Sequence, residues 1–188
     1  MGGAVGSFLG EMKLETVLSL MGAAIGVTSF ILNLRLVARQ EKRNAVNLKM
    51  AHDSDIIRWA DEVILALARA NETLCEKGLS YNDNDFAVRR SEERAQVSAL
   101  VDRGRLFFPN RTDTDHGADK EAGFQGYRQP VLQELVHAHD VIDRAGAAPG
   151  PDRAAAEQLM KHRRKFIAEV FQTVDPVRRG MTLKELAA

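Results

Sequence analysis

The spacing of hydrophobic and polar positions changes sharply along this chain. Residues 16–34, TVLSLMGAAIGVTSFILNL, run for 19 positions without a charge, although 28% of the whole chain is charged. As a helix rising 1.5 Å per residue the run is about 28 Å long, close to the roughly 30 Å hydrocarbon thickness of a bilayer. Glu11, Lys13 and Glu15 precede it, and Arg35, Arg39, Lys42, Arg43 and Lys49 follow. The pattern predicts a single transmembrane helix over 16–34, after a short N-terminal segment (1–15) and before a polar neck (35–52). A cleaved signal peptide would need a basic leader, a shorter apolar run and a small-residue cleavage site, and the run is instead followed at once by LRLVARQEKR. A buried helix of a soluble bundle is the other alternative, because Ser19, Thr28, Ser29 and Asn33 leave the run only moderately apolar.

Past the neck the period becomes that of amphipathic helices, and residues 53–177 read as a helical bundle. Trp59, Val63, Leu67, Ala70 and Leu74 fall three or four apart, with Ile56 and Ile64 widening the same face. The anchor helix would continue through the polar neck, Asp53 or Ser54 would cap a helix restarting near Asp55, and Gly78 would close it. SYNDND (80–85) reads as a turn, and a second helix as 85–106 with Phe86, Val97, Leu100 and Val101 apolar. A polar loop, 109–126, follows. Pro130 starts a third helix to Arg144, with Val131, Leu135, Val136, Ala138 and Ile142 on its core face. GAAPGPD (146–152) is a linker whose Asp152 would cap a fourth helix, 153–174, presenting Leu159, Phe166, Ile167, Val170 and Val174. A tail from Arg178 would fray or add one short turn. The expected fold is all-α: an N-terminal transmembrane helix followed by a bundle of about four helices.

Charge sets the orientation. Between Arg35 and Lys49 basic residues outnumber the single Glu41, so the positive-inside bias puts the C-terminal side in the cytoplasm and the N-terminus outside an inner membrane. Across the chain 26 basic residues balance 26 acidic ones, and no bulk field points to nucleic acid. The one cysteine, Cys75, excludes an internal disulfide and suits a reducing compartment. No metal-binding, phosphate-loop or dinucleotide motif occurs, so neither a cofactor nor a metal is expected.

Four groups of residues carry candidate chemistry. Gly22 and Gly26 form a GxxxG within the span, a spacing that lets helices approach closely in lipid and favours homo-oligomers; Ser29 and Asn33 lie on nearby turns. In DRGRLFFPNR (102–111), Arg103, Arg105 and Arg111 bracket two aromatics. With Arg128, Arg163 and Arg164 they would bind phosphate; structurally, Phe107 and Phe108 would plug the bundle, Gly104 would allow close helix approach, and Arg103 would pair with Asp102 or Asp140. Arg111 and His116 form an R-x4-H spacing. His137 and His139 point to different faces of a helix and do not share a metal, and His162 sits on a basic face, KHRRK.

The R-x4-H spacing resembles the signature of HEPN ribonucleases, all-α domains in which paired Arg and His act across a dimer. With the anchor, the layout resembles small bacterial membrane proteins in which one span precedes a HEPN-like helical domain, such as the accessory membrane proteins of type VI-B CRISPR systems. The resemblance implies an oligomeric membrane effector in antiviral defence that need not retain nuclease chemistry. Two functions follow as expectations. One is a non-enzymatic, self-associating membrane protein whose partners are the lipid bilayer, further copies of itself and a protein received by the bundle. The other is a membrane-tethered ribonuclease acting on RNA, with His116 moving protons and Arg111 stabilising phosphorane charge.

Overall fold

The computed structural model describes residues 14–112, 115–146 and 149–174; the expected N-terminal segment to residue 13 and the tail lie outside them. Four helices make up the described chain: α1 (Leu14–Glu76), α2 (Asp83–Gly104), α3 (Pro130–Arg144) and α4 (Arg153–Val174), with a short 3-10 turn at Ala122–Phe124. No strand forms among the described residues; two isolated bridges, Lys77 with Tyr81 and Arg111 with Tyr127, are the extent of β pairing there.

α1 runs unbroken for 63 residues, which corrects the expected restart near Asp55. The reason is local. Neither Gly nor Pro occurs from Val27 to Lys77, so nothing removes a donor or loosens the backbone through the neck. Ser54 lies inside the helix, where its hydroxyl donates back to the Met50 carbonyl at 2.8 Å. Termination waits for Gly78, whose φ of +72° is the left-handed conformation of a helix C-terminus. The Leu79 and Ser80 amides then both donate to the Glu76 carbonyl at 3.0 Å.

The chain divides into two units, one ending at Lys49 and the other beginning at Met50. In the first, α1 is long and apolar enough to cross a membrane, and none of its most apolar window is buried. Leu18, Ile25 and Phe30 are 60–64% exposed.

The second unit has a continuous core. Ile56, Trp59, Val63, Leu67, Ala70 and Leu74 of α1 are buried, as the periodicity predicts. α2 adds Phe86, Val97, Leu100 and Val101; α3 adds Val131, Leu132, Leu135, Ala138 and Ile142; α4 adds Ala156, Leu159, Phe166 and Val174. Two assignments change. Leu132, outside the expected face, is fully buried, whereas Ile167, expected inside, is 40% exposed. Ile167 and the exposed Phe171 border an open apolar groove with Ile57 and Ile64 of α1.

Trp59 sits at the centre. Its ring is 5.5 Å from Phe108, 5.4 Å from Phe166 and 6.0 Å from Phe107, and its indole N–H donates to the Leu100 carbonyl at 2.9 Å. The phenylalanines therefore plug the bundle end as expected. The caps fix the remaining ends. Asn82 accepts from the Asp85 amide at 2.9 Å and starts α2 two residues earlier than expected. Asp152 accepts from the Ala155 amide at 3.1 Å and from the Gly146 amide at 3.0 Å, tying the linker to the start of α4. Lys77, almost fully buried, donates to the Gly146 carbonyl at 2.6 Å.

Candidate functional site

Three places hold the candidate residues. In the first unit, Gly22 and Gly26 have open space where a Cβ would stand, with nothing within 4 Å. Another helix backbone can approach there.

The arginine segment at the end of α2 splits in two. Arg103 Nη1 donates to Glu62 Oε2 on α1 at 2.6 Å, with both side chains close to half exposed. The partner is therefore neither Asp102 nor Asp140, because position 103 faces α1. Arg105 leaves on the other side. Its guanidinium lies 4.4 Å from the centre of the Phe124 ring, and its side chain is only 15% exposed. Asp102 Oδ1 approaches Arg105 Nε at 3.5 Å, an ion-pair distance without a hydrogen bond, and Nε is buried without an acceptor. Arg128 Nη1 donates to Gln133 Oε1 at 3.1 Å, and its Nε is likewise buried without an acceptor.

Burial, and then the nearby positive charge of Arg105, hold Arg128 below the ordinary arginine range, against the opposing pull of Asp140. Of the three proposed binding arginines, Arg103 goes to Glu62, Arg105 to Phe124 and Asp102, and Arg128 to Gln133. Phe124, which stacks on Arg105, and Gln133, which accepts from Arg128, carried no sequence signal. Arg164 instead contacts Met160 Sδ within α4, at 3.8 Å.

The loop after α2 is closed by a small antiparallel bridge. The Arg111 amide donates to the Tyr127 carbonyl and the Tyr127 amide to the Arg111 carbonyl, each at 2.8 Å, while Gln129 Nε2 donates to the Pro109 carbonyl at 3.2 Å. Gly126 makes the crossing possible. Its φ is +79°, and a Cβ there would lie 2.0 Å from the Arg111 carbonyl oxygen. The Gly126 amide reaches the His116 carbonyl at 2.7 Å, and the His116 imidazole stacks on Tyr127 with centroids 4.4 Å apart and planes 6° apart. Arg111 sits at the bridge and His116 inside the loop. Both are exposed and neither is helical. Of the intervening residues, Asp113 and Thr114 lie outside the described chain.

The histidines of α3 do not converge. His139 Nδ1 lies 3.7 Å from Asp140, whereas His137 packs 5.4 Å from the ring of His162. His162 is more than a solvated basic residue: its Nδ1 meets Glu134 Oε2 at 2.7 Å, with both side chains largely buried. Among the described residues, no group of three or more His, Cys, Asp or Glu is arranged to hold a metal ion.

No protein-family model, curated protein or solved structure matches the chain. Functional inference therefore starts from the exposed apolar segment of α1.

Proposed function

We propose that this protein is a non-enzymatic, single-pass membrane protein of the inner membrane that self-associates and acts as an effector or scaffold through its helical bundle. The observation that carries the reading is the apolar part of α1, whose large side chains from Leu18 to Leu34 are uncovered. Removing apolar surface from water is worth about 25 cal/mol per Å², and a bilayer does this around the whole helix circumference. The open surface at Gly22 and Gly26 supports association of copies within the membrane. The basic flank from Arg35 to Lys49 supports a cytoplasmic bundle, available to a protein partner. The role in antiviral defence rests on the resemblance to membrane-anchored HEPN-like proteins alone.

Membrane fractionation tests the reading. The full-length protein should stay in the pellet through carbonate washing and enter solution only with detergent, and a reporter fused to the C-terminus should be active in the cytoplasm. Release by carbonate would refute the span. RNA cleavage by the detergent-solubilised protein that is lost in Arg111→Ala and His116→Ala would replace the scaffold reading with the tethered ribonuclease.

A further inference from the structure

We propose that the apolar groove between α1 and α4 is the docking site of the protein's own C-terminal segment, residues 175–188, which folds back over it. The proposal stands apart from the membrane reading. The groove is lined by Ile57 and Ile64 of α1 and by Ile167, Val170, Phe171 and Val174 of α4, with Asp61 at its side. Its volume is about 170 Å³, well below the roughly 300 Å³ at which pockets for small molecules begin. It therefore suits the side chains of a packed segment better than a soluble ligand. Phe171 on its rim is 58% exposed, and an open apolar surface of this kind gains from a cover.

The segment begins where the groove ends. Residues 175–188, DPVRRGMTLKELAA, lie outside the described chain, and Val174, the last described residue, lines the groove. Pro176 has no amide hydrogen to extend α4 and biases Asp175 toward extended backbone, so the sequence predicts a change of direction there. Thr182 and Glu185 have the T-x-x-E spacing of a capping box, and Met181 and Leu186 occupy the positions of a hydrophobic staple around it. A helical turn from Leu183 is predicted, with Leu183 and Leu186 on one face. Residues 175–180 reach about 20 Å when extended. The groove takes up only about 10 Å of α4 between Ile167 and Val174, at 1.5 Å per residue. Met181, Leu183 and Leu186 can thus enter it. Charge agrees, because Arg178 and Arg179 arrive beside Asp61, which forms no ion pair among the described residues. So short a tether gives an effective concentration in the mM range, enough to populate a weak contact. Any other partner of the groove has to displace the segment first.

The test uses the full-length protein in phosphatidylcholine nanodiscs, or in buffer if it proves soluble. Hydrogen exchange is read by mass spectrometry. The amides of residues 185–187 should exchange about ten-fold more slowly than in the free peptide, as for a contact formed about nine-tenths of the time. Leu186→Ser, Phe171→Ser and Asp61→Lys should each remove most of this protection. All three change the segment or exposed positions, so the bundle core is untouched.

A second arm identifies the occupant. In a Cys75→Ser background, Ile64→Cys is paired with Leu183→Cys and treated with a short bismaleimide; Val88→Cys, exposed on α2, replaces Ile64→Cys in the control. The Ile64 pair should crosslink several-fold more than the Val88 pair, and Leu186→Ser should abolish the difference. Mixing copies of normal and heavy nitrogen separates links within one chain from links between chains. Crosslinks found only between copies identify a second copy as the occupant and overturn the proposal. Free-peptide exchange rates, or protection that Phe171→Ser and Asp61→Lys leave unchanged, overturn it as well. If Ile64→Cys does not fold, the exchange arm decides alone.

Discussion

Gly104→Ala adds one methyl group where the core leaves no room for it. A Cβ at Gly104 would lie 2.5 Å from Trp59 Cζ2 and 2.6 Å from Leu132 Cδ2. Neither neighbour can step aside cheaply. Trp59 and Leu132 are both fully buried, and the indole is held by Phe107, Phe108 and Phe166 and by its bond to the Leu100 carbonyl. Overpacking of a filled core costs about 1–3 kcal/mol, and straining the indole hydrogen bond adds about 1 kcal/mol. The opposing helix-propensity gain of Ala over Gly is at most about 1 kcal/mol, and less at the last residue of a helix. The net destabilisation should be about 2 kcal/mol. For a unit of this size that lowers the melting temperature by roughly 6–10 °C.

Trp59 fluorescence and near-ultraviolet circular dichroism report on the site directly. Gly123→Ala is the control, because nothing lies within 4 Å of its Cβ position; it should be neutral or slightly stabilising. If Gly104→Ala melts at or above the wild-type temperature, Gly104 is not the contact that sets how closely α2 approaches Trp59.

Further outcomes follow from the loop, the ion pairs and the carboxylates. Gly126→Ala forces a side chain to φ +79° against the Arg111 carbonyl; it should cost more than about 2 kcal/mol and open the loop to proteolysis near residues 112–126. Arg103→Ala should cost about 0–1 kcal/mol, because its Glu62 partner is half exposed. Arg105→Ala should cost only about 1–2 kcal/mol from lost stacking and stem packing, since Asp102 is not left buried and unpaired; a loss of 3–5 kcal/mol would point to a desolvated ion pair instead. Burial holds the Glu93 carboxyl above the ordinary glutamate range, despite its 2.6 Å bond from Thr73. The folded state therefore keeps that proton longer, and stability should fall as pH rises from the ordinary range through the higher folded value. Glu93→Gln should flatten this part of the pH–stability curve. Asp143 has the opposite sign: its hydrogen bond from Arg94 lowers its pKa, so its contribution is present above the ordinary aspartate range and fades as pH falls through the lower folded value.

The bundle was legible where one periodic stripe decides burial. The spacing from Ile56 to Leu74 identified the face of α1, and Asp152 and Gly78 identified two helix ends, because caps and glycines act through their immediate neighbours. At Asp53 and Ser54 the reading went wrong by giving cap-type residues too much weight. Such residues do not break a helix that has neither Gly nor Pro, and α1 continues past them. The candidate site was legible as a list of arginines but not as a grouping. The Arg103–Glu62 contact spans 41 residues, and whether Arg105 turns toward α1 or toward the loop depends on how α2 is rotated. Phe124 and Gln133 become visible only when the bridge at Arg111 and Tyr127 brings the loop back across the end of α2.

The two apolar regions of α1 differ in the shape of their apolar surface, and this argues for lipid around the first. From Ile56 to Leu74 the buried residues form one stripe, which joins the common core of the bundle. From Val17 to Leu34, at about 100° per residue, Ser19, Gly22, Gly26, Ser29 and Asn33 fall within an arc of about 80°. The large apolar side chains Leu18, Leu20, Met21, Ile25, Val27, Phe30, Ile31, Leu32 and Leu34 spread over the remaining circumference, and all are exposed. Thr28, on the apolar side, satisfies its hydroxyl by donating to the Ala24 carbonyl at 2.7 Å. A single partner helix covers only a stripe of such a surface; the wide apolar remainder needs an apolar solvent, while the narrow arc of small and polar residues suits a second copy. Association measured by crosslinking in membranes should therefore follow the helix phase. Gly22→Ile, Gly26→Ile and Ser29→Leu should weaken it, whereas Ile25→Leu, Val27→Leu and Phe30→Leu should leave it intact. Unchanged crosslinking in both glycine variants would mean that the bundle drives assembly, and equal loss at every position would mean that the arc is not the contact.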